Sequence, residues 1–252
     1  MSEWKSCLIK FIKMIAKNKI EDIVPDFEKG EVILIDKEKG ITSFDVIRKL
    51  RKILKIKKIG HAGTLDPAAT GLLILCTGKK TKEISSFQNK PKVYEGIITL
   101  GKSTPSMDGE TEAVDVKDYS HVSENDIEKV RKEFIGEIEQ IPPMYSAVKH
   151  KGKSLYKYAR KGIEVERKPR KVTVYEFEIT KINLPDVYFK IKCSKGTYVR
   201  VIANDFGEKL GCGGYLKELR RTGIGEFDVA DAFTLKELSE IFSETKISDI
   251  EN

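Results

Sequence analysis

Residues 60–71 constrain this chain more than any other stretch. They read Gly60-His61-Ala62-Gly63-Thr64-Leu65-Asp66-Pro67-Ala68-Ala69-Thr70-Gly71. Pro67 pushes Asp66 out of the helical region and toward extended backbone. The glycines permit geometry or close approach that bulkier residues would block. Such a loop can hold one carboxylate, Asp66, in a fixed pose above a ligand, with the His61 imidazole a few residues upstream. An ordinary Asp-Pro turn leading into the apolar strand Leu72-Leu73-Ile74-Leu75-Cys76 accounts for the same residues.

The chain has 252 residues, enough to bury a sizeable core. Its 34% charged residues imply a heavily charged surface, and its net charge of +7 favours polyanions, because each neutralised phosphate releases a counterion. Nucleic acid is the first partner to consider and an anionic membrane the second. Cys7, Cys76, Cys193 and Cys212 form no Cys-x-x-Cys pair, and none of the three histidines lies at zinc-ligand spacing from a cysteine. The expectation is reduced packing cysteines, no metal, no disulfide scaffold and a cytoplasmic location.

Trp4, Leu8, Phe11, Ile12 and Ile15 recur at helical spacing with Lys5, Lys10, Lys13 and Lys17 between them, which predicts an amphipathic extension over residues 1–29. The lysines interrupt the apolar run that a secretory signal needs, and no later segment has the length of a membrane span. Residues 31–36 read as a buried strand. Thr42 and Ser43 are good helix caps for the face Phe44, Ile47, Leu50, Ile53 and Leu54. Strands are expected at 72–76, 93–100, 172–179, 187–193 and near 224–229. Helices are expected at about 122–134, 154–161 and 198–210 and from Thr234, with 102–119 a polar loop. This irregular alternation, with hairpin-like pairs, predicts an α+β domain with a mixed, mostly antiparallel sheet over residues 30–243, and a tail at 244–252.

Several blocks then agree in order. The Gly60–Gly71 run closely resembles the signature of the TruB family of tRNA pseudouridine synthases. Asp36-Lys37, Gly40 and Thr42-Ser43 resemble its first motif, with Glu38 where a proline is usual. Val93-Tyr94-Glu95-Gly96 resembles its tyrosine strand. Gly136, Gln140-Ile141-Pro142-Pro143 and Tyr145-Ser146-Ala147 match its central block, Cys193 to Arg200 its most basic motif, and Leu219-Arg220-Arg221 its last. The resemblance covers residues 30–240 and implies the short form, without the C-terminal PUA-type domain that many members carry.

The resemblance implies a pseudouridine synthase catalytic domain, its sheet flanked by helices with a cleft for an RNA loop. It implies isomerisation of uridine 55 in the tRNA T loop by base flipping, by a monomer with no cofactor, no metal and no obligatory protein partner. It carries Asp66 over as the catalytic acid, Arg200 as the guanidinium beside it and Tyr94 as the ring stacked on the uracil. Lys37, His61, Asp108, Tyr198 and Leu219 are carried over as substrate contacts. Read without it, Arg200 is equally a surface charge, Tyr94 a half-buried strand tyrosine, Tyr198 and Leu219 core, and His61 and Asp108 turn residues. Two other functions fit the same surface: a guide-RNA-dependent synthase, and a non-catalytic RNA-binding or RNA-folding module.

Overall fold

The computed structural model describes residues 14–17, 25–146 and 148–248. Its strands are β1 (Met14–Ile15), β2 (Val32–Lys37), β3 (Ile59–His61), β4 (Thr70–Thr77), β5 (Lys92–Leu100), β6 (Lys102–Ser103), β7 (Asp115–Val116), β8 (Gly136–Gln140), β9 (Lys149–His150), β10 (Lys153–Ser154), β11 (Arg170–Asn183), β12 (Asp186–Cys193), β13 (Gly214–Ile224) and β14 (Phe227–Asp228). Its helices are α1 (Ser43–Leu54), α2 (Ile84–Asn89), α3 (Glu124–Glu133), α4 (Leu155–Ala159), α5 (Val199–Lys209) and α6 (Leu235–Ser248). Antiparallel pairs dominate, with parallel pairing at β1–β2 and β4–β13, so the fold is α+β with a mixed, mostly antiparallel sheet.

The chain forms two compact units. One takes both ends, residues 1–90 and 220–252; the other is residues 91–219. No composition shift marks either passage, and strand β13 runs from one unit into the other.

In the first unit, β2 and β4 are buried on both faces, which is why they read as unbroken apolar runs. Successive strand residues point to opposite faces. Ile33, Ile35, Leu73 and Leu75 therefore meet Val46, Ile47, Leu50 and Leu54 of α1, together with Phe233 and Leu238. Val32, Leu34, Leu72, Ile74 and Cys76 meet Ala62, Phe87, Ile224 and Phe227 on the other side. Thr42 caps α1 through a reciprocal box: its hydroxyl accepts from the Asp45 amide at 3.0 Å and its own amide donates to the Asp45 carboxylate at 3.0 Å.

Parallel pairing sets Arg220 against Thr70 and Arg221 against Gly71. Gly71 has a φ of +102°, and a Cβ there would collide with the Arg221 backbone carbonyl. Strain and collision act together, so Gly71→Ala is expected to lower the unfolding free energy by about 2–4 kcal/mol. Urea denaturation measures it, and a loss below ~1 kcal/mol would contradict this close approach.

In the second unit, the strand order is β13, β5, β12, β11, β8. Helices α3 and α5 cover this sheet through an aromatic cluster in which Phe177 lies 6.2 Å from Phe134, 5.9 Å from Phe189 and 6.0 Å from Phe206, centroid to centroid. That cluster seats α5, whose first turn carries Arg200. Gly96 on β5 has no room for a side chain: a Cβ would meet the Glu218 carbonyl of β13 at 2.5 Å and the Phe189 ring at 2.7 Å.

Three sequence expectations differ from the structure. The amphipathic helix over Trp4–Ile15 lies mostly outside the described residues, and its described end, Met14–Ile15, is a strand. Pairing with β2 and burial of Ile15 outweigh helical spacing there. The strand expected near 224–229 shortens to Phe227–Asp228, while Gly214–Ile224 is a long strand that its charged residues concealed. The loop at 102–119 carries one short antiparallel pair, β6 with β7.

Candidate active site

Asp66 sits at the first position of a β-turn with Pro67 second, closed by the Ala69 amide donating to the Asp66 carbonyl at 3.1 Å. The loop is tied down from several sides. Gly40 N–H donates to the Pro67 carbonyl at 2.8 Å. The Ser43 hydroxyl donates to the Leu65 carbonyl at 3.1 Å and accepts from the Leu65 amide at 2.9 Å. Thr42 caps α1, which frees Ser43 to clamp this loop. From β13, Arg221 Nη2 donates to the Gly63 carbonyl at 3.1 Å and Nε to the Leu72 carbonyl at 2.7 Å. None of these ties uses the Asp66 carboxylate, which is half-buried and carries its own electrostatic partners.

Lys37 is fully buried, its amine donating to the carbonyls of Glu38 at 2.9 Å and Ile41 at 2.8 Å. Burial drives its pKa down from 10.5 to about 8. The Asp66 carboxylate opposes that shift, the Arg221 charge adds to it, and Glu38 opposes it. Lys37 thus places a cation in the electrostatic field of Asp66, where it favours the ionised carboxylate.

Between pH 8 and 10.5 the unfolded chain holds this proton more tightly than the folded one, so stability contributed by Lys37 rises with pH across that window. Wild type is therefore expected to gain up to about 3 kcal/mol on Lys37→Met between those limits. Chemical denaturation at a series of pH values reads the difference. A flat difference would mean that Lys37 is solvated.

His61 ends β3 and is half-buried. Burial lowers its pKa below 6.5, the Arg221 charge lowers it further, and the Gly63 backbone opposes both. The ring is therefore neutral at physiological pH. On the same unit, Arg220 holds Asp36 through two bonds of 3.0 and 2.6 Å.

In the second unit, Tyr94 is buried on β5 opposite Ile191 of β12. Arg200 is buried and pairs with buried Asp108 at 2.8 Å. Its second terminal nitrogen donates to the Tyr145 carbonyl at 2.7 Å, and its guanidinium lies 6.0 Å from the Tyr198 ring centroid. Asp108 is itself braced, accepting the Glu110 amide at 3.0 Å, while its backbone carbonyl accepts from Thr104 and Ser106. The Gln140 side chain reads both backbone groups of Tyr198, accepting its N–H at 3.0 Å and donating to its carbonyl at 3.2 Å. Leu219 is half-buried at the end of this unit on β13.

The structure thus groups Asp66, Lys37 and His61 within one unit, and Arg200, Asp108 and Tyr198 within the other. Arg200 is not a surface charge. The sequence reading missed Arg221, Ser43, Gln140 and Tyr145 as supports. For Arg221 the signal was strand alternation: of two adjacent arginines on β13, one must face inward. Burial pushes the Cys76 thiol to about 12 and the Cys193 thiol to about 11, so neither is a nucleophile at neutral pH. Among the described residues, no three His, Cys, Asp or Glu side chains converge as metal ligands, and no helix is long and apolar enough to cross a membrane.

Residues 51–199 match the family model of the TruB family pseudouridylate synthase N-terminal domain, and residues 200–250 match that of the tRNA pseudouridylate synthase B C-terminal domain. The chain is similar to tRNA pseudouridine synthase B of Chloroherpeton thalassium, 52% identical over 88% of this chain and 93% of that one. It is similar to tRNA pseudouridine synthase B of Flavobacterium johnsoniae, 47% identical over 83% and 95%. A solved Cbf5-Nop10-Gar1 complex contains a chain of like fold, with a TM-score of 0.69, 30% identity and coverage of 92% of this chain and 64% of that one. The archaeal box H/ACA sRNP Nop10-Cbf5 complex gives a TM-score of 0.66 at 29% identity, covering 89% and 57%. With a pinned Asp-Pro turn, a buried lysine that feels the charge of its carboxylate and both family models matched across residues 51–250, the chain belongs to the TruB family of pseudouridylate synthases.

Proposed function

We propose that this chain converts the uridine at position 55 of tRNA, in the T loop, to pseudouridine without cofactor or guide RNA. The observation that carries the reading is the Asp66 turn. It is fixed through its backbone from α1, β13 and Gly40, so the pose of its carboxylate is set by the loop and the charge of buried Lys37 acts on it. Likeness to curated tRNA pseudouridine synthases over nearly their whole length supports the stand-alone reading over the guide-dependent one.

The reaction is an isomerisation. The bond from N1 to C1′ breaks, the uracil turns while held, and C5 bonds to C1′. The proton on C5 is released and N1 ends protonated, so the formula is unchanged. Asp66 acts at the sugar, either attacking C1′ or taking the C2′ proton. A preformed charge near Lys37 costs no reorganisation when the sugar becomes electron-poor. Tyr94 stacks on the uracil, and Tyr198 and Leu219 wall it. His61, neutral and half-buried, offers a ring face and a ring nitrogen to RNA. Arg200 and Asp108 form a buried ion pair beside Tyr198 within the second unit. Flipping the base costs a few kcal/mol, which stacking and phosphate contacts offset. The location is cytoplasmic.

Loss of the C5 hydrogen gives a direct assay. The protein alone, incubated with tRNA carrying tritium at C5 of uridine, is expected to release one tritium per tRNA into water. No release without an added guide RNA or partner would refute the stand-alone reading.

A further inference from the structure

Helix α1 is a ruler within the first unit. At its N-terminal end Ser43 clamps the Asp66 loop through Leu65. At its other end, about 18 Å away at 1.5 Å per residue, Arg51, Lys52, Lys55, Ile56 and Lys57 line a shallow, open surface cleft of about 420 Å³. The four basic side chains are exposed. Earlier on the same helix the basic residues are matched with acids: Arg48 lies 2.7 Å from Asp45, and Lys49 lies 3.5 Å from Glu38. Among the described residues, none of the four cleft cations makes an ion pair. Lys55 has a φ of +53°, which turns the chain sharply at the helix end and brings Lys57 back beside Arg51 and Lys52 around the cleft.

Cations at a helix C-terminus complement the macrodipole, but that dipole amounts to about half a charge. Four cations around one cleft exceed it and repel one another. A polyanion relieves that repulsion and releases counterions on binding. Half-buried Ile56 gives the lining an apolar element, which suits a ribose edge between phosphates.

We infer that this cleft is a phosphate-backbone site for the substrate tRNA, contacting the RNA at nucleotides other than the one that reacts. The inference rests on the tRNA reading above. It assigns the four cations to substrate affinity and to its salt dependence, not to the chemical step. Four phosphate contacts at a slope of about 0.7 to 0.9 each contribute roughly 3 to the slope of log Kd against log salt.

The test compares wild type with a combined Arg51→Gln, Lys52→Gln, Lys55→Gln and Lys57→Gln variant, using an unmodified tRNA transcript between 50 and 200 mM salt. The expected result is a slope smaller by about 3 and a Kd raised at least ~10-fold at 50 mM. In the tritium assay the loss falls on KM rather than kcat. A matched control, Lys129→Gln, Lys132→Gln, Lys181→Gln and Lys236→Gln, removes the same charge elsewhere and is expected to move the slope far less. An equal change in the control would overturn the inference in favour of a general field. An unchanged slope with a lowered melting temperature would overturn it in favour of a helix-end role. Lost binding to anionic phosphatidylserine vesicles, with tRNA binding intact, would overturn it in favour of a membrane surface.

If the combined variant fails to fold, single Lys52→Gln and Lys57→Gln variants carry the test, each expected to lower the slope by about 1. Because the equilibrium measurement needs no turnover, an inactive wild type would refute the tRNA reaction without deciding the cleft.

Discussion

Asp66→Asn is expected to abolish turnover, by roughly four orders of magnitude or more, while tRNA binding survives. The asymmetry follows from how the loop is held. Four ties that fix residues 63–69 run through backbone groups: Leu65 to Ser43, Gly63 to Arg221, Pro67 to Gly40, and Ala69 to the Asp66 carbonyl. Asparagine preserves that carbonyl and the shape of the side chain, so the turn persists. What disappears is the negative charge and the lone pair to which the proposed reaction assigns attack on carbon or removal of a proton. RNA binding by a protein of net charge +7 does not depend on one acid. The substitution also removes the carboxylate that supports the Lys37 proton, so Lys37 titrates below its wild-type value of about 8. Measuring tRNA affinity and tritium release on the same preparation separates the two effects. Undiminished turnover would remove Asp66 from the chemistry.

The second large effect is on stability. Asp108→Ala is expected to cost about 3–5 kcal/mol of unfolding free energy. Both partners of the Asp108–Arg200 pair are buried, at 6% and 4% exposure, so water does not replace the lost carboxylate. Arg200 keeps its bond to the Tyr145 carbonyl, yet a buried cation loses the carboxylate held 2.8 Å from it. The double variant Arg200→Met, Asp108→Ala removes both charges, and should cost less than the sum of the single changes by about 2–3 kcal/mol. Arg200→Lys is not a conservative rescue, because one ammonium cannot span Asp108 and Tyr145 as the planar fork does. Urea unfolding of the four proteins at pH 7 measures the cycle. A cost below ~1 kcal/mol for Asp108→Ala would place the pair in contact with solvent.

Much of the architecture was legible because burial leaves a period in the sequence. Strands β2 and β4 read as apolar runs because both of their faces are covered, and α1 announced itself through Thr42 and its apolar stripe. The Asp66 turn was legible because proline and glycine leave the backbone few alternatives. Strand β13 was hidden: Lys217, Glu218, Arg220 and Arg221 obscure the alternation that burial of Leu216 and Ile224 would otherwise reveal.

Roles that depend on distant partners were hidden too. Nothing local to Arg200 says that its guanidinium meets an aspartate 92 positions earlier, or that Gln140 braces Tyr198 across 58 positions. Such pairs are made by the topology of the sheet. Lys37 is similar: its identity as a motif residue was legible, but its complete burial and its coupling to Asp66 come from the packing around β2 and β4.

Unaided isomerisation of one uridine of tRNA is the activity on which the proposed roles of Asp66, Lys37 and Tyr94 depend. It is tested most directly by mapping pseudouridine at single-nucleotide resolution in an unmodified tRNA transcript, with this protein as the sole addition. The expected result is stoichiometric modification at position 55 and at no other uridine. An unmodified T loop, or pseudouridine appearing only when a guide RNA is supplied, would contradict it.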